Sequence, residues 1–150
     1  MKLRINTRLA VALHILTVIA LSAVKGVPST SELMAKSVNT NPVVVRRITG
    51  MLKRAGLVEV QAGVGGASLR RKPEEITWLD VYNAVKVSED VTLFHLHENP
   101  QQRCYIGKYM HEVLEAPLAE AQRAMEERLA TFTLMDAVGP IAEKNHIEVR

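Results

Sequence analysis

One segment constrains this chain more than any other. Asn41-Pro42 sets a favourable N-cap before a proline at the first helical position, and Gly56 stands where a glycine stop belongs, which brackets a helix of about fourteen residues. Its two faces have opposite chemistry. Val44, Val45, Ile48, Met51, Leu52 and Ala55 recur at helical spacing and are expected in a core. Val43, Arg46, Arg47, Gly50, Lys53 and Arg54 share the other side, a basic stripe with no acid in it. Ahead of this helix, Ser29-Thr30-Ser31-Glu32 has the serine-to-glutamate spacing of a capping box, and a short helix follows through Leu33, Met34 and Ala35 to Ser37. Behind it, residues 57–61 alternate as a strand, Gly63-Val64-Gly65-Gly66 turns, and residues 67–70 return. Two short helices in a tight turn, the second basic, then a hairpin, is the order of a winged helix-turn-helix.

The charge distribution agrees with that order. Net charge is only +3, yet residues 1–75 carry 12 Lys/Arg against 4 Asp/Glu while residues 76–150 carry 7 against 12. The N-terminal half is suited to a polyanion and the C-terminal half is not. A single cysteine, Cys104, excludes an intrachain disulfide framework and any zinc or iron-sulfur site built from cysteines of one chain.

The first 25 residues imitate a signal peptide, since Lys2, Arg4 and Arg8 lead into an apolar run over residues 9–23. A buried helix accounts better for a run that contains His14 and Thr17 and falls short of the ~20 residues of a membrane span. Asn6 or Thr7 is the expected cap, and residues 25–28 end the helix. A short helix is expected over residues 77–87, and residues 91–97 read as strand or loop. Residues 101–130 are a long helical candidate that Pro117 must kink or split. Its stripe of Ile106, Met110, Leu114, Leu118, Ala121 and Met125 is too extensive for a small second domain to cover, which points to a dimer. Thr133 is the expected cap of a last helix over residues 134–144.

An α-helix fits the B-DNA major groove, where Arg46 and Arg47 can take both acceptors of a guanine edge and Val43 can meet a thymine methyl. Lys53 and Arg54, with Arg70 and Arg71 beside the hairpin, are placed for phosphates. Ser31, Thr40 and Asn41 at the helix starts, and Gly63 and Gly65 in the turn, complete the expected DNA-contacting set. A solvated basic face on an ordinary amphipathic helix, within a dimeric interaction module that binds no DNA, explains the same stripe more blandly. Enzyme readings fare worse. The glycine cluster lacks the Walker lysine and the dinucleotide spacing, no Gly-x-Ser-x-Gly is present, and Cys104 with His97 or His111 has no orienting partner. His95, His97, Cys104 and His111 make a metal-sensing regulator conceivable, although surface histidines explain them more simply.

The opening Met1-Lys2-Leu3, the run from Asn41 through Ile48, Leu52-Lys53-Arg54-Ala55-Gly56-Leu57-Val58, and Pro73-Glu74-Glu75-Ile76-Thr77 with Asp80-Val81-Tyr82 together resemble the Rrf-type winged-helix transcription regulators, relatives of IscR, NsrR and CymR. The resemblance covers nearly the whole chain. It implies a mainly α fold with a small β-hairpin, residues 1–75 as the DNA-binding head and 76–150 as the dimerisation and sensing region, the first helix packing on the dimerisation helix as well. It further implies a cytoplasmic homodimer on a palindromic double-stranded operator, usually a repressor. Cluster-binding members use three cysteines near the start of the long helix. With only Cys104 there, no iron-sulfur cofactor is expected, and the signal is left to thiol oxidation at Cys104, a small ligand or a partner. Ala62 replaces the arginine that many relatives carry before the wing glycine, and Ala67-Ser68 replaces a common Gly-Tyr pair.

Overall fold

The computed structural model describes residues 5–86 and 93–149. The central element is helix α1 (Ile5–Val24), whose Ala12, Ile15, Leu16 and Ile19 are wholly buried. By length and composition Thr7–Val24 is apolar enough to cross a membrane. Here that segment instead packs against residues 31–38, 42–54, 66–69, 78–85 and 135–144. Two polar residues of its apolar run are satisfied: Thr17 Oγ1 donates to the Leu13 carbonyl at 2.7 Å, and His14 Nε2 shares a 2.9 Å hydrogen bond with Ser37 Oγ. The helix is already under way at Ile5, so the expected Asn6 or Thr7 cap is not its start. It stops at Gly26 (φ 67°), where the Val27 N–H donates to the Ser22 carbonyl at 2.9 Å, a closure that a residue with a Cβ makes only under strain.

Helix α2 (Ser31–Val38) is capped by Thr30, whose hydroxyl accepts from the Leu33 N–H at 3.2 Å. The capping box expected from Ser29 with Glu32 therefore does not form: the cap lies one residue later, with Leu33 in the place of the glutamate, because Ser29 is buried and its backbone pairs elsewhere. Asn39 (φ 61°) turns the chain, and helix α3 (Pro42–Arg54) begins as expected, with Asn41 Oδ1 accepting from the Val43 N–H at 2.8 Å and Pro42 in the first turn. Strands β1 (Val58–Gln61) and β2 (Gly66–Leu69) pair antiparallel, Val58 opposite Leu69 and Gln61 opposite Gly66, around a single 3₁₀ turn at Gly63–Gly65. An isolated bridge from Ser29 to Ala67 adds a third edge. The head closes around Met34, Val45, Ile48, Leu52, Leu57, Val58, Val81 and Val85, all buried against α1.

Helix α4 (Trp78–Val85) has a reciprocal cap, Thr77 Oγ1 accepting from the Asp80 N–H and Asp80 Oδ2 accepting from the Thr77 N–H. Residues 93–97 contain no strand, and residues 91–92 of that expected segment lie outside the described residues. Helix α5 (Tyr105–Leu129) runs 25 residues, about 37 Å at 1.5 Å per residue, and is continuous through Pro117, so the expected split does not occur. Helix α6 (Met135–Lys144) follows with Pro140 inside it. Thr133 does not cap it through its hydroxyl. Its backbone N–H donates to Asp136 Oδ2 at 2.7 Å instead.

Candidate nucleic-acid interface

Helix α3 sorts its residues almost as its periodicity requires. Val45, Ile48 and Leu52 are buried, whereas Ala55 has passed the end of the helix and is exposed, a departure from the expected core face. Thr49 is buried in that face too, and its hydroxyl makes no hydrogen bond among the described residues. On the opposite side Val43 is 53% exposed, and Arg46, Arg47, Lys53 and Arg54 all reach solvent.

The cations of the expected DNA-contacting set differ in how they are held. Arg70 Nε lies 3.5 Å from Glu59 across the hairpin, and Arg71 Nη2 lies 3.3 Å from the Asp80 carboxylate that also caps α4. Arg46 Nη1 lies 3.9 Å from Glu32 of α2. Arg47, Lys53 and Arg54 have no acidic partner among the described residues, so the uncompensated charge is concentrated on α3. Exposed pairs of this kind contribute at most ~1 kcal/mol to the stability of the fold. Asn41 is exposed, with its carboxamide oxygen used by the cap and its NH₂ group left to donate. Ser31 and Thr40 are half-buried at the starts of α2 and α3, and Gly63 (φ 81°) and Gly65 are exposed at the hairpin tip. One surface therefore carries the start of α2, the outer face of α3 and the wing. Glu32 belongs to this surface and was read in the sequence only as a capping residue.

The second half of the chain holds the remaining expected residues. Of the stripe on α5, Ile106 is 56% exposed and Ala121 is exposed, while Met110, Leu114, Leu118 and Met125 are half-buried. The buried residue of the helix is Gln122, whose Oε1 accepts from the Leu93 N–H at 2.9 Å and whose Nε2 donates to the Tyr82 hydroxyl at 3.1 Å. The apolar residues left most open are Tyr105, Ile106, Tyr109 and Val113, which crowd the N-terminal half of the helix.

Cys104 stands exposed at the N-cap of α5. Its sulfur closes no capping hydrogen bond of normal geometry, but the backbone N–H of Gly107, and then that of Ile106, pull the thiol below its ordinary value against a small opposing effect of desolvation. Neither Arg103 nor Lys108 is among the causes, and Lys108 Nζ sits 5.3 Å from the Tyr109 ring centre. His97 and His111 meet edge to face with ring centres 5.2 Å apart, and His111 Nε2 is 2.7 Å from the His97 carbonyl oxygen. Among the described residues no three His, Cys, Asp or Glu side chains are grouped to hold a metal ion, so His95, His97, Cys104 and His111 are not assembled into one site.

Residues 5–140 match the Rrf2 family, described as iron-dependent transcriptional regulators. The chain belongs to the Rrf2 family. It is 46% identical over 134 residues to YwnA of Bacillus subtilis (strain 168), named as an HTH-type transcriptional regulator, covering 89% of this chain and 96% of that protein. A crystal structure described as that of a DNA-binding protein aligns with TM-score 0.69 at 42% identity, over 87% of this chain and 97% of that one. IscR of T. potens shares the fold at TM-score 0.67 and 18% identity, over 99% of this chain and 94% of that one. The global cysteine regulator CymR of B. subtilis shares it at 0.63 and 21%, over 93% and 97%. This chain is thus an Rrf2-family transcriptional regulator with a winged-helix head, and its homologues are regulators, not enzymes. The iron in the family's description does not fit the donors present here. The chain has one cysteine, and among the described residues no ligands are grouped around it, a donor set that does not suit an iron-sulfur cluster.

Proposed function

We propose that this Rrf2-family chain works in the cytoplasm as a homodimer that binds a palindromic DNA operator sequence-specifically and represses transcription. The observation that carries the reading is the cationic face of α3, where Arg47, Lys53 and Arg54 have no acidic partner among the described residues and stand beside Arg46 and the exposed Val43. A helix of that kind enters the major groove, its arginines reading guanine edges and its lysine holding phosphate. Ser31, Thr40, Asn41, Gly63, Gly65, Arg70 and Arg71 would contact the flanking backbone. The exposed Tyr105, Ile106, Tyr109 and Val113 support a second copy packed along α5. Selection from random duplexes, followed by gel shifts over the promoter region of the protein's own gene, tests the reading. Recovery of a two-fold symmetric site is expected, and recovery of no sequence preference overturns it.

The signal enters through Cys104, a small ligand or a partner protein. The thiol reading is favoured by the exposure of Cys104 and by the backbone N–H groups that lower its pKa. Release of DNA on treatment with hypochlorite by the native protein, but not by Cys104→Ser, is the expected result, and equal release by both overturns it.

A further inference from the structure

We propose that Glu32 is a specificity-determining residue that holds Arg46 for reading a base edge and turns it away from phosphate. The proposal rests on the DNA-binding reading above. Glu32 lies in the first turn of α2, and its Oε1 is 3.9 Å from Arg46 Nη1 on α3, with the two side chains 74% and 57% exposed. So exposed a pair contributes little to stability, because water screens most of the attraction. Its position gives it another role. With Ser31, Gln61 and Gly63, Glu32 lines a cleft of about 350 Å³ between the start of α2 and the wing. A carboxylate there repels any phosphate drawn towards Arg46. At 3.9 Å it stands beside the planar guanidinium as a charge and takes none of its five N–H donors by a hydrogen bond, so these stay available for the N7 and O6 acceptors of a guanine.

The consequence depends on the sequence met. On random DNA an arginine gains mainly from phosphate, and Glu32 removes that gain. On the operator Arg46 gains from the base, and Glu32 keeps it aimed. Glu32 therefore widens the gap between specific and non-specific binding more than it alters operator affinity. An acid in the first turn of a helix also suits the helix dipole. That role alone would change thermal stability and leave DNA preference untouched.

The experiment measures Kd for the selected operator and for a scrambled duplex across a salt series, in the full-length wild type, Glu32→Gln, Arg46→Ala and the double variant. Glu32→Gln is expected to bind the scrambled duplex about tenfold more tightly, with a salt slope steeper by about one counterion, and to hold operator binding within about twofold. In the Arg46→Ala background the same substitution should leave the ratio of the two affinities nearly unchanged. Equal tightening on both duplexes, an unchanged ratio, or the same loss of preference without Arg46 overturns the role of Glu32 while leaving DNA binding intact. A wild type that selects no sequence overturns the DNA-binding reading and this proposal with it.

Discussion

The carbonyl oxygen of Ser29 accepts a hydrogen bond from the Ala67 N–H at 3.0 Å, which fastens the wing to the turn that leads into α2. Ser29 is only 3% exposed, so the bond is shielded from water. The next residue back along the wing, Gly66, has φ 67° and ψ −160°, a region that essentially only glycine occupies, and a Cβ there would lie 2.7 Å from the Ser29 carbonyl group. The hairpin is thereby tied directly to the helix-turn-helix.

Gly66→Ala should accordingly destabilise the head by about 1–3 kcal/mol, through both backbone strain and the clash with Ser29. Urea denaturation followed by circular dichroism measures it. Gly63→Ala is a useful companion, since a Cβ at Gly63 meets nothing within 4 Å and only the positive φ is strained.

Arg47→Ala should weaken operator binding by roughly 1–3 kcal/mol and relax the preference at one base pair of each half-site. Lys53→Ala should weaken operator and scrambled duplex alike and reduce the salt slope by about one. Fluorescence anisotropy over a salt series separates the two behaviours.

Gln122→Leu should destabilise the junction of α4 and α5 by about 1–3 kcal/mol, because the Leu93 N–H loses its acceptor and the Tyr82 hydroxyl its donor. Tyr82→Phe removes only one of those contacts and should cost less. Comparing the two by denaturant midpoint shows whether Gln122 is the anchor of α5.

The paired substitution of Ile106 and Tyr109 by Glu should give a folded monomer in sedimentation experiments, since both residues are more than half exposed and contribute little to the chain's own core. Leu118→Glu should instead unfold the segment packed on α5, because Leu118 lines a cavity with Phe94 and Leu96. Binding of a full palindrome should be lost in both. If the Ile106 and Tyr109 variant remains a dimer, the interface lies elsewhere.

The lowered pKa of Cys104 has a direct kinetic consequence. A thiol held below its ordinary value is deprotonated at lower pH, so the rate of alkylation by iodoacetamide should rise with a midpoint below that of the same cysteine in urea. Coincident midpoints would show that the N–H groups of Gly107 and Ile106 do not act on the sulfur.

The order of the head and the two faces of α3 were determined by sequence alone. Asn41-Pro42, the 3.6-residue spacing of Val45, Ile48 and Leu52, and the glycines of the turn act within a few residues of themselves, so local rules suffice to read them. Periodicity also marked α5 as a helix with an apolar stripe. It could not say which part of the stripe the chain covers for itself, and that was decided by Tyr82 and Leu93 coming to Gln122 from 40 and 29 residues away. The tertiary structure likewise moved the cap of α2 from Ser29 to Thr30 by drawing the Ser29 backbone to Ala67, and it set Glu32 beside Arg46. The physical reason is common to all three. Backbone geometry fixes which residues share a face, but only the packing of distant elements decides which partner each polar group or charge on that face will meet.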